Sequence, residues 1–147
     1  MSRFAHASGK LFFVCFALLL VGLIMLLFGA DSKVNEENLT LIHSYHWQVE
    51  EEPEEITRLT IPTTFDTVFS AYNTTMKSNG FDLTPYQGVR ATRYTYRVLN
   101  HKDSDSGLVR IHIFVTKSGI VAADICSLAP DGFILPINDT SGQLTEE

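Results

Sequence analysis

Two stretches decide the fold: residues 89–99 read VRATRYTYRVL, and residues 108–115 read LVRIHIFV. Apolar and polar side chains alternate in both, and a β-strand points successive side chains to opposite faces of its sheet. Residues 120–128, IVAADICSL, follow after the link TKSG, which has the length of a hairpin loop. The three stretches therefore predict an antiparallel meander with one apolar face and one polar face.

Helices and further strands precede this meander. Between residues 62 and 79, apolar residues recur at helical spacing, with Pro62 suited to the first turn and Gly80 suited to the position just past the end. A shorter helix is predicted to begin at Ser32 or Asn35 and to end near residue 46. Additional strands are predicted at residues 47–49 and 56–61.

Residues 11–30, LFFVCFALLLVGLIMLLFGA, carry no charge. About 20 apolar residues rising about 1.5 Å each span roughly 30 Å, the thickness of a bilayer core. Arg3 and Lys10 precede this run and every acidic residue follows it, which predicts a cytoplasmic N-terminus. A cleaved signal peptide is the alternative, but the run is long for one and its end lacks a pair of small residues at cleavage spacing.

The predicted fold class is α+β, with an N-terminal transmembrane helix followed by a small domain. That domain is a mostly antiparallel sheet packed by one long and one short helix. We expect residues 1–10 to form a cytoplasmic tail and residues 11–30 to contact membrane lipid. We expect residues 31–135 to form the extracytoplasmic domain of a cell-membrane protein and residues 136–147 to form a flexible tail.

Charge and cysteine content narrow the function classes. Beyond residue 30 the chain has nine of its eleven Lys and Arg residues, all but Arg3 and Lys10, and all seventeen of its Asp and Glu residues. The net charge of this part is therefore −8. Such an acidic domain is repelled by nucleic acid. Cys15 lies in the apolar run and Cys126 is alone in the domain, so the domain has no internal disulfide. The lack of disulfides indicates a protein of a bacterial envelope more than one of a eukaryotic secretory route.

Motifs for catalysis or cofactor binding are incomplete, so no cofactor and no metal is predicted. His43 and His46 have a spacing that can hold a metal but lack further ligands, and the loop at 103–107 lacks the later ligands of a calcium loop. Cys126 can act as a nucleophile if His112 lies close enough to activate it, and a buried structural cysteine is the alternative. Carboxylates are offered by Asp124 and Asp131.

A basic stripe is predicted on the polar face of the sheet. Arg93 and Arg97 share one strand face, and Arg110 and His112 are expected on the adjoining strand. This stripe can bind an anionic partner. The alternative is cross-strand pairing with Asp124 or with the acidic run at 50–55.

The residues also resemble a known family. The resemblance to a bacterial domain-of-unknown-function family of small membrane-anchored proteins covers about residues 33–135. It implies an envelope location and one compact domain, but no activity and no site. His46 departs from the pattern, which has a glycine there. The matching motifs are His46-Trp47-Gln48-Val49-Glu50, Ile61-Pro62, Asn79-Gly80-Phe81-Asp82-Leu83 with Tyr86 and Gly88, Arg93-Tyr94-Thr95-Tyr96, and Asp131-Gly132-Phe133.

We therefore expect a non-enzymatic binding or structural module of the cell envelope, whose partner is an envelope protein or an anionic wall polymer. One alternative is a small hydrolase or thiol enzyme that uses Cys126, His112 or Asp124. Another is a transmembrane sensor, whose short N-terminal tail needs a cytoplasmic partner. The oligomeric state is not predicted.

Overall fold

The computed structural model of the chain describes residues 32–144. The chain divides into two compact units, Met1–Glu37 and Asn38–Glu147. In the first unit, the described residues 32–37 are helical, and Lys33 Nζ lies 3.8 Å from Glu37 Oε1 one helical turn later. Helical geometry covers residues 32–44 of the chain, which are named α1 below.

The second unit is built on a five-stranded antiparallel sheet in which neighbours in the chain are neighbours in the sheet. The meander predicted from the sequence is confirmed. The helix α2 (Thr67–Lys77) lies between the first two strands in the chain. The strands are β1 (Glu55–Thr60), β2 (Arg90–Arg97), β3 (Val109–Thr116), β4 (Gly119–Ser127) and β5 (Ile134–Pro136).

The first face of the sheet is the one that bears Tyr96. Its central side chains are buried and almost entirely apolar, and each buried aliphatic side chain stabilises the fold by about 1.5–3 kcal/mol. Asn38 of α1 donates from Nδ2 to the Tyr96 hydroxyl at 3.0 Å, and Trp47 donates from Nε1 to the Ile137 carbonyl at 2.8 Å. These polar atoms are therefore satisfied inside the core. The buried side chains of this face include Tyr94, Tyr96, Ile111, Ile113 and Ile125.

The second face is the one that bears His112. Helix α2 packs on part of it, and Met76 is fully buried there against Ala91 and Ala122. The helix begins where the Asp66 side chain accepts a hydrogen bond from the Phe69 N–H at 2.7 Å, which satisfies one free donor of the first turn. The rest of this face carries the polar residues of β2, β3 and β4.

The structure corrects the predicted fold class. The structure has a five-stranded antiparallel sheet and two helices, and across residues 32–144 no helix is long and apolar enough to cross a membrane. The predicted cytoplasmic tail and the predicted span at 11–30 lie outside the described residues.

The predicted helix lengths are also corrected. The helix expected at 62–79 is confined to Thr67–Lys77, whereas the one expected to be short is helical over 32–44. Ile61 exchanges backbone hydrogen bonds with Val89 and Gly88, which extends the pairing of β1 with β2 and keeps Ile61 out of the helix. The strand expected at 47–49 is reduced to a single bridge between Val49 and Val98.

The end of the described chain contributes to the core. Ile137 is fully buried, and the Leu144 N–H donates to the Asn100 carbonyl at 2.7 Å. His101 and Gln143 form an isolated β-bridge. These contacts lie in the segment from residue 136 onward that is predicted from the sequence to be a flexible tail.

Candidate functional site

Five residues of the second face form a polar group, named the His112 cluster below. The register of β3 with β4 places His112 directly opposite Asp124, and Cys126 follows two residues later on the same face. The register of β2 with β3 places Thr95 opposite His112. Tyr72 joins from α2. Four strand positions and one helix position thus build a single site from distant parts of the sequence.

Hydrogen bonds connect these side chains. His112 Nδ1 lies 3.0 Å from Asp124 Oδ1, and the Tyr72 hydroxyl donates to Asp124 Oδ2 at 2.6 Å. Cys126 Sγ lies 3.7 Å from His112 Nδ1 and 4.0 Å from Nε2. Asp124 is 1% exposed and Cys126 is 4% exposed, whereas the His112 side chain is 16% exposed. Of these three side chains, the histidine ring is therefore the one most accessible to solvent.

The cluster holds a buried ion pair. Burial of the ring lowers the pKa of His112, but the hydrogen bonds and charges of Asp124 and Cys126 outweigh it and raise the pKa to about 9. His112 is therefore an imidazolium at neutral pH. Burial, and then the neighbouring Asp124 carboxylate, raise the pKa of Tyr72 above its ordinary value. The Tyr72 phenol consequently stays neutral and remains a hydrogen-bond donor.

This geometry differs from that of a catalytic triad. In a triad the nucleophile bonds one ring nitrogen and the carboxylate bonds the other. Here Asp124 bonds Nδ1, and the Cys126 sulfur is nearly equidistant from both nitrogens. A sulfur lying along the lone pair of one nitrogen would be much farther from the other. The cysteine is thus close to His112 without being aligned to give it a proton.

Four buried side-chain atoms have no hydrogen-bond partner among the described residues: Asn38 Oδ1, Asn79 Oδ1, Arg93 Nε and Thr95 Oγ1. Of these residues, Thr95 is the one that lies opposite His112. Thr95 is 5% exposed. A buried hydroxyl without a partner costs about 1–3 kcal/mol, so native proteins seldom leave one unpaired unless a water or ligand satisfies it.

The four residues of the predicted basic stripe do lie on one face, but carboxylates pair with three of them. Arg93 Nη2 lies 3.1 Å from Glu55 Oε2, and Arg110 donates from Nη2 to Glu54 at 3.1 Å. His112 pairs with Asp124, as described above. Cross-strand pairing, the alternative drawn from the sequence, is the arrangement observed for these three. The use of the stripe by a partner stays a prediction.

Arg97, the fourth member of the stripe, lines an open groove of about 620 Å³. The backbone N–H of Glu50 donates to the Arg97 carbonyl at 3.0 Å, and that of Glu54 donates to the Thr95 carbonyl at 2.8 Å. The acidic segment is therefore fixed to β2 at both ends. The groove is lined by Glu50, Glu51, Glu52, Pro53, Glu54 and Arg97.

The other candidate residues from the sequence do not join the cluster. His43 and His46 are exposed near the end of α1, and Asp131 is exposed in the turn after β4. The predicted loop at 103–107 contains a short 3₁₀ turn ending at Gly107. Among residues 32–144, the group of His, Cys and acidic side chains close enough to hold a metal is His112, Asp124 and Cys126.

Tyr72 and Thr95 were missed as site residues. Tyr72 lies in the apolar stripe of a helix, where an aromatic residue is normally explained by packing. Thr95 lies between Arg93 and Arg97 at a spacing of two, so the sequence predicts that it shares their face of the sheet. Its position beside His112 depends on strand register, which the sequence does not give. The available signal in the sequence was Asp124, because a carboxylate within the mostly apolar strand at 120–128 needs a hydrogen-bond or charge partner if it is buried.

Comparison with known proteins gives one positive result. No curated protein and no solved structure matches the chain at a significant level. A family model described as a domain of unknown function (DUF4830) matches residues 41–125, which include α2, β1, β2 and β3. This confirms the predicted resemblance to an uncharacterised family. Since the match covers more than half of the chain, the protein belongs to the DUF4830 family.

Proposed function

We propose that the domain is a non-enzymatic binding module that receives a basic segment of a protein partner in the groove beside Arg97. The groove itself carries this proposal. Its wall is held to β2 by two backbone hydrogen bonds, at Glu50 and Glu54, so little ordering of the backbone is needed on binding.

Charge favours a protein partner over an anionic wall polymer. Four glutamates line the groove against one arginine, and Glu54 already pairs with Arg110. The carboxylates of Glu50 and Glu52 attract lysine and arginine side chains and repel a polyanion. Arg97 adds an exposed cation that can pair with one acidic residue of the same partner and so set its register.

The envelope location belongs to this proposal as a prediction from sequence alone. It rests on residues 1–31, which lie outside the described residues. Cell fractionation tests it: recovery of the chain with the soluble cytoplasmic fraction contradicts an envelope location, and a different location would still leave the groove available for a partner.

In-cell photo-crosslinking tests the groove. A photoreactive amino acid at position 51 is expected to give a discrete adduct with one protein. Glu50→Gln with Glu52→Gln should reduce that adduct by about tenfold, because two carboxylates that attract the basic partner are lost. Asp105→Asn with Asp131→Asn removes the same charge from two other exposed turns and is the matched control. Failure to recover an adduct under several growth conditions contradicts the proposal, as does equal loss in both double variants.

A thiol enzyme is the second candidate, because Cys126 Sγ lies 3.7 Å from His112 Nδ1. Alkylation by iodoacetamide, in a Cys15→Ser background, measures the reactivity of Cys126 in the folded chain. Fast alkylation that is lost in His112→Ala supports catalysis. A thiol that reacts only after denaturation removes this candidate. The transmembrane sensor stays a prediction, since its tail lies outside the described residues.

A further inference from the structure

We propose that His112, Asp124 and Cys126 bind a divalent transition-metal ion of the zinc type on the second face of the sheet. This site is separate from the groove, and it was not predicted from the sequence.

The donor atoms favour zinc over calcium or magnesium. The three side chains offer one imidazole nitrogen, one carboxylate oxygen and one sulfur. Calcium and magnesium prefer six or more oxygen ligands, whereas zinc accepts nitrogen, oxygen and sulfur in a site of four ligands. Three protein ligands leave one position for water.

The three ligand atoms lie close enough together for side-chain rotation to bring them onto one metal ion. Tetrahedral bonds of about 2.0–2.3 Å hold ligand atoms about 3.3–3.7 Å apart. His112 Nδ1 lies 3.0 Å from Asp124 Oδ1 and 3.7 Å from Cys126 Sγ. All three ligand atoms lie within 4.8 Å of one another. The sulfur lies off the lone pair of Nδ1, so the Cys126 side chain has to rotate towards Asp124 Oδ1 to complete the coordination.

Residues around the ligands match the second layer of a metal site. Tyr72 donates to Asp124 Oδ2, which orients the carboxylate and leaves Oδ1 towards His112. Thr95 gives independent support for a ligand at this site. Its buried Oγ1 has no hydrogen-bond partner among the described residues, and the strand register places it beside His112. A water on the fourth coordination position can satisfy this hydroxyl.

Protons balance without any redox step. The metal takes the place of the proton on His112 Nδ1 and of the thiol proton of Cys126. Both protons leave to solvent, and the product is a neutral imidazole, a thiolate and a carboxylate around one divalent ion. The carboxylate of Asp124 changes its partner from the imidazolium to the metal, so no buried charge is left unpaired.

Metal titration of the full-length chain tests the site. After treatment with a chelator, the chain is titrated with Zn²⁺ by calorimetry and with Co²⁺ by absorption. We expect one ion per chain with a Kd in the micromolar range or tighter, and a near-ultraviolet band from thiolate ligation of cobalt. Cys126→Ser should abolish that band and weaken zinc binding by at least about tenfold.

The controls separate this site from others. Cys15→Ser should leave the cobalt band unchanged, and so should His43→Gln with His46→Gln. Thr95→Val is expected to keep the band but to weaken binding by about tenfold, since only the bound water loses a partner. If the wild-type chain gives no thiolate band, or if Cys126→Ser binds zinc as tightly as wild type, the proposal is overturned. Neither result bears on the groove.

Discussion

The two faces of the sheet are built from alternate residues of the same strands, yet they differ in chemistry. The first face buries Tyr96, Ile111 and Ile125, and its polar atoms at Asn38 and Trp47 serve the packing of the core. The second face buries His112 and Asp124 as an ion pair. Packing explains most of the first face, where Asn38 Oδ1 is a buried atom without a hydrogen-bond partner among the described residues, whereas it does not explain why charged groups occupy the second.

The burial of His112 and Asp124 therefore does not by itself show that these residues stabilise the fold. Removing two charges from water costs several kcal/mol per ion, and a hydrophobic replacement often gives equal or greater stability. A buried Thr95 hydroxyl without a partner adds to this cost. We infer that the His112 cluster is kept for binding and that the first face is kept for folding.

The largest effect is expected from the first face. Ile111→Ala removes a fully buried side chain and leaves a cavity, so the free energy of unfolding should fall by about 4 kcal/mol. Urea denaturation followed by circular dichroism measures it. Ile56→Ala is the matched control, because Ile56 is 55% exposed and should cost less than about 1 kcal/mol. Equal losses in both variants would contradict the assignment of the core.

Breaking the ion pair of the second face should have the next largest effect. Asp124→Asn leaves the His112 imidazolium buried without its anion, and we expect a loss of about 3 kcal/mol at pH 6. The same denaturation experiment measures the loss. His112→Gln with Asp124→Asn should cost less than the sum of the single variants, because the two side chains act as a pair. Additive losses would argue against the pairing.

The pair also predicts a pH dependence in metal-free protein. The pKa of His112 rises from 6.5 to about 9 on folding, so its stabilisation is fully present below pH 6.5. It is lost as pH rises through 9, by at most about 3 kcal/mol. The free energy of unfolding is measured at pH 6 and at pH 9.5 for wild type and for His112→Gln. The change with pH in wild type, minus the change in the variant, gives the stabilisation lost by His112. The charged or titratable groups around His112 are Glu55, Tyr72, Arg93, Asp124 and Cys126.

A pH-independent difference between wild type and His112→Gln would show that the imidazolium is not stabilised by Asp124. A difference that grows with pH would reverse the sign and assign a neutral histidine to the folded state.

The smallest effect concerns the helix that covers the second face. Asp66→Ala removes the cap of α2, and the free energy of unfolding should fall by about 1 kcal/mol. Asp105→Ala, in an exposed short turn, is the control and should change it by less than about 0.5 kcal/mol. Equal stability of Asp66→Ala and wild type would show that the cap does not contribute.

The sequence predicts the strands well because a period of two is unambiguous in alternating segments. The strand expected at 89–99 is observed at Arg90–Arg97, and the one expected at 108–115 is observed at Val109–Thr116. The start of α2 was missed because Pro62 also suits a helix, while long-range pairing of Ile61 with Val89 decides against it.

The candidate site was predictable only in parts. His112, Asp124 and Cys126 are each recognisable as chemically active residue types, but strand register brings His112 opposite Asp124. Tyr72 enters through the packing of α2 on the sheet, which no local pattern specifies. Ile137 lies beyond the alternating segments, and no local pattern predicts that it is buried or that its carbonyl accepts a hydrogen bond from Trp47.

The stability of a triple variant tests the central claim most directly. His112→Leu, Asp124→Val and Tyr72→Phe replace the ion pair and its phenol donor with apolar side chains, so that none of the three hydrogen-bonded groups is left without its partner. If the cluster is kept for binding, the variant in chelator should unfold with a free energy equal to that of metal-free wild type or up to about 4 kcal/mol higher. A loss of several kcal/mol would contradict this account and would assign the cluster to folding.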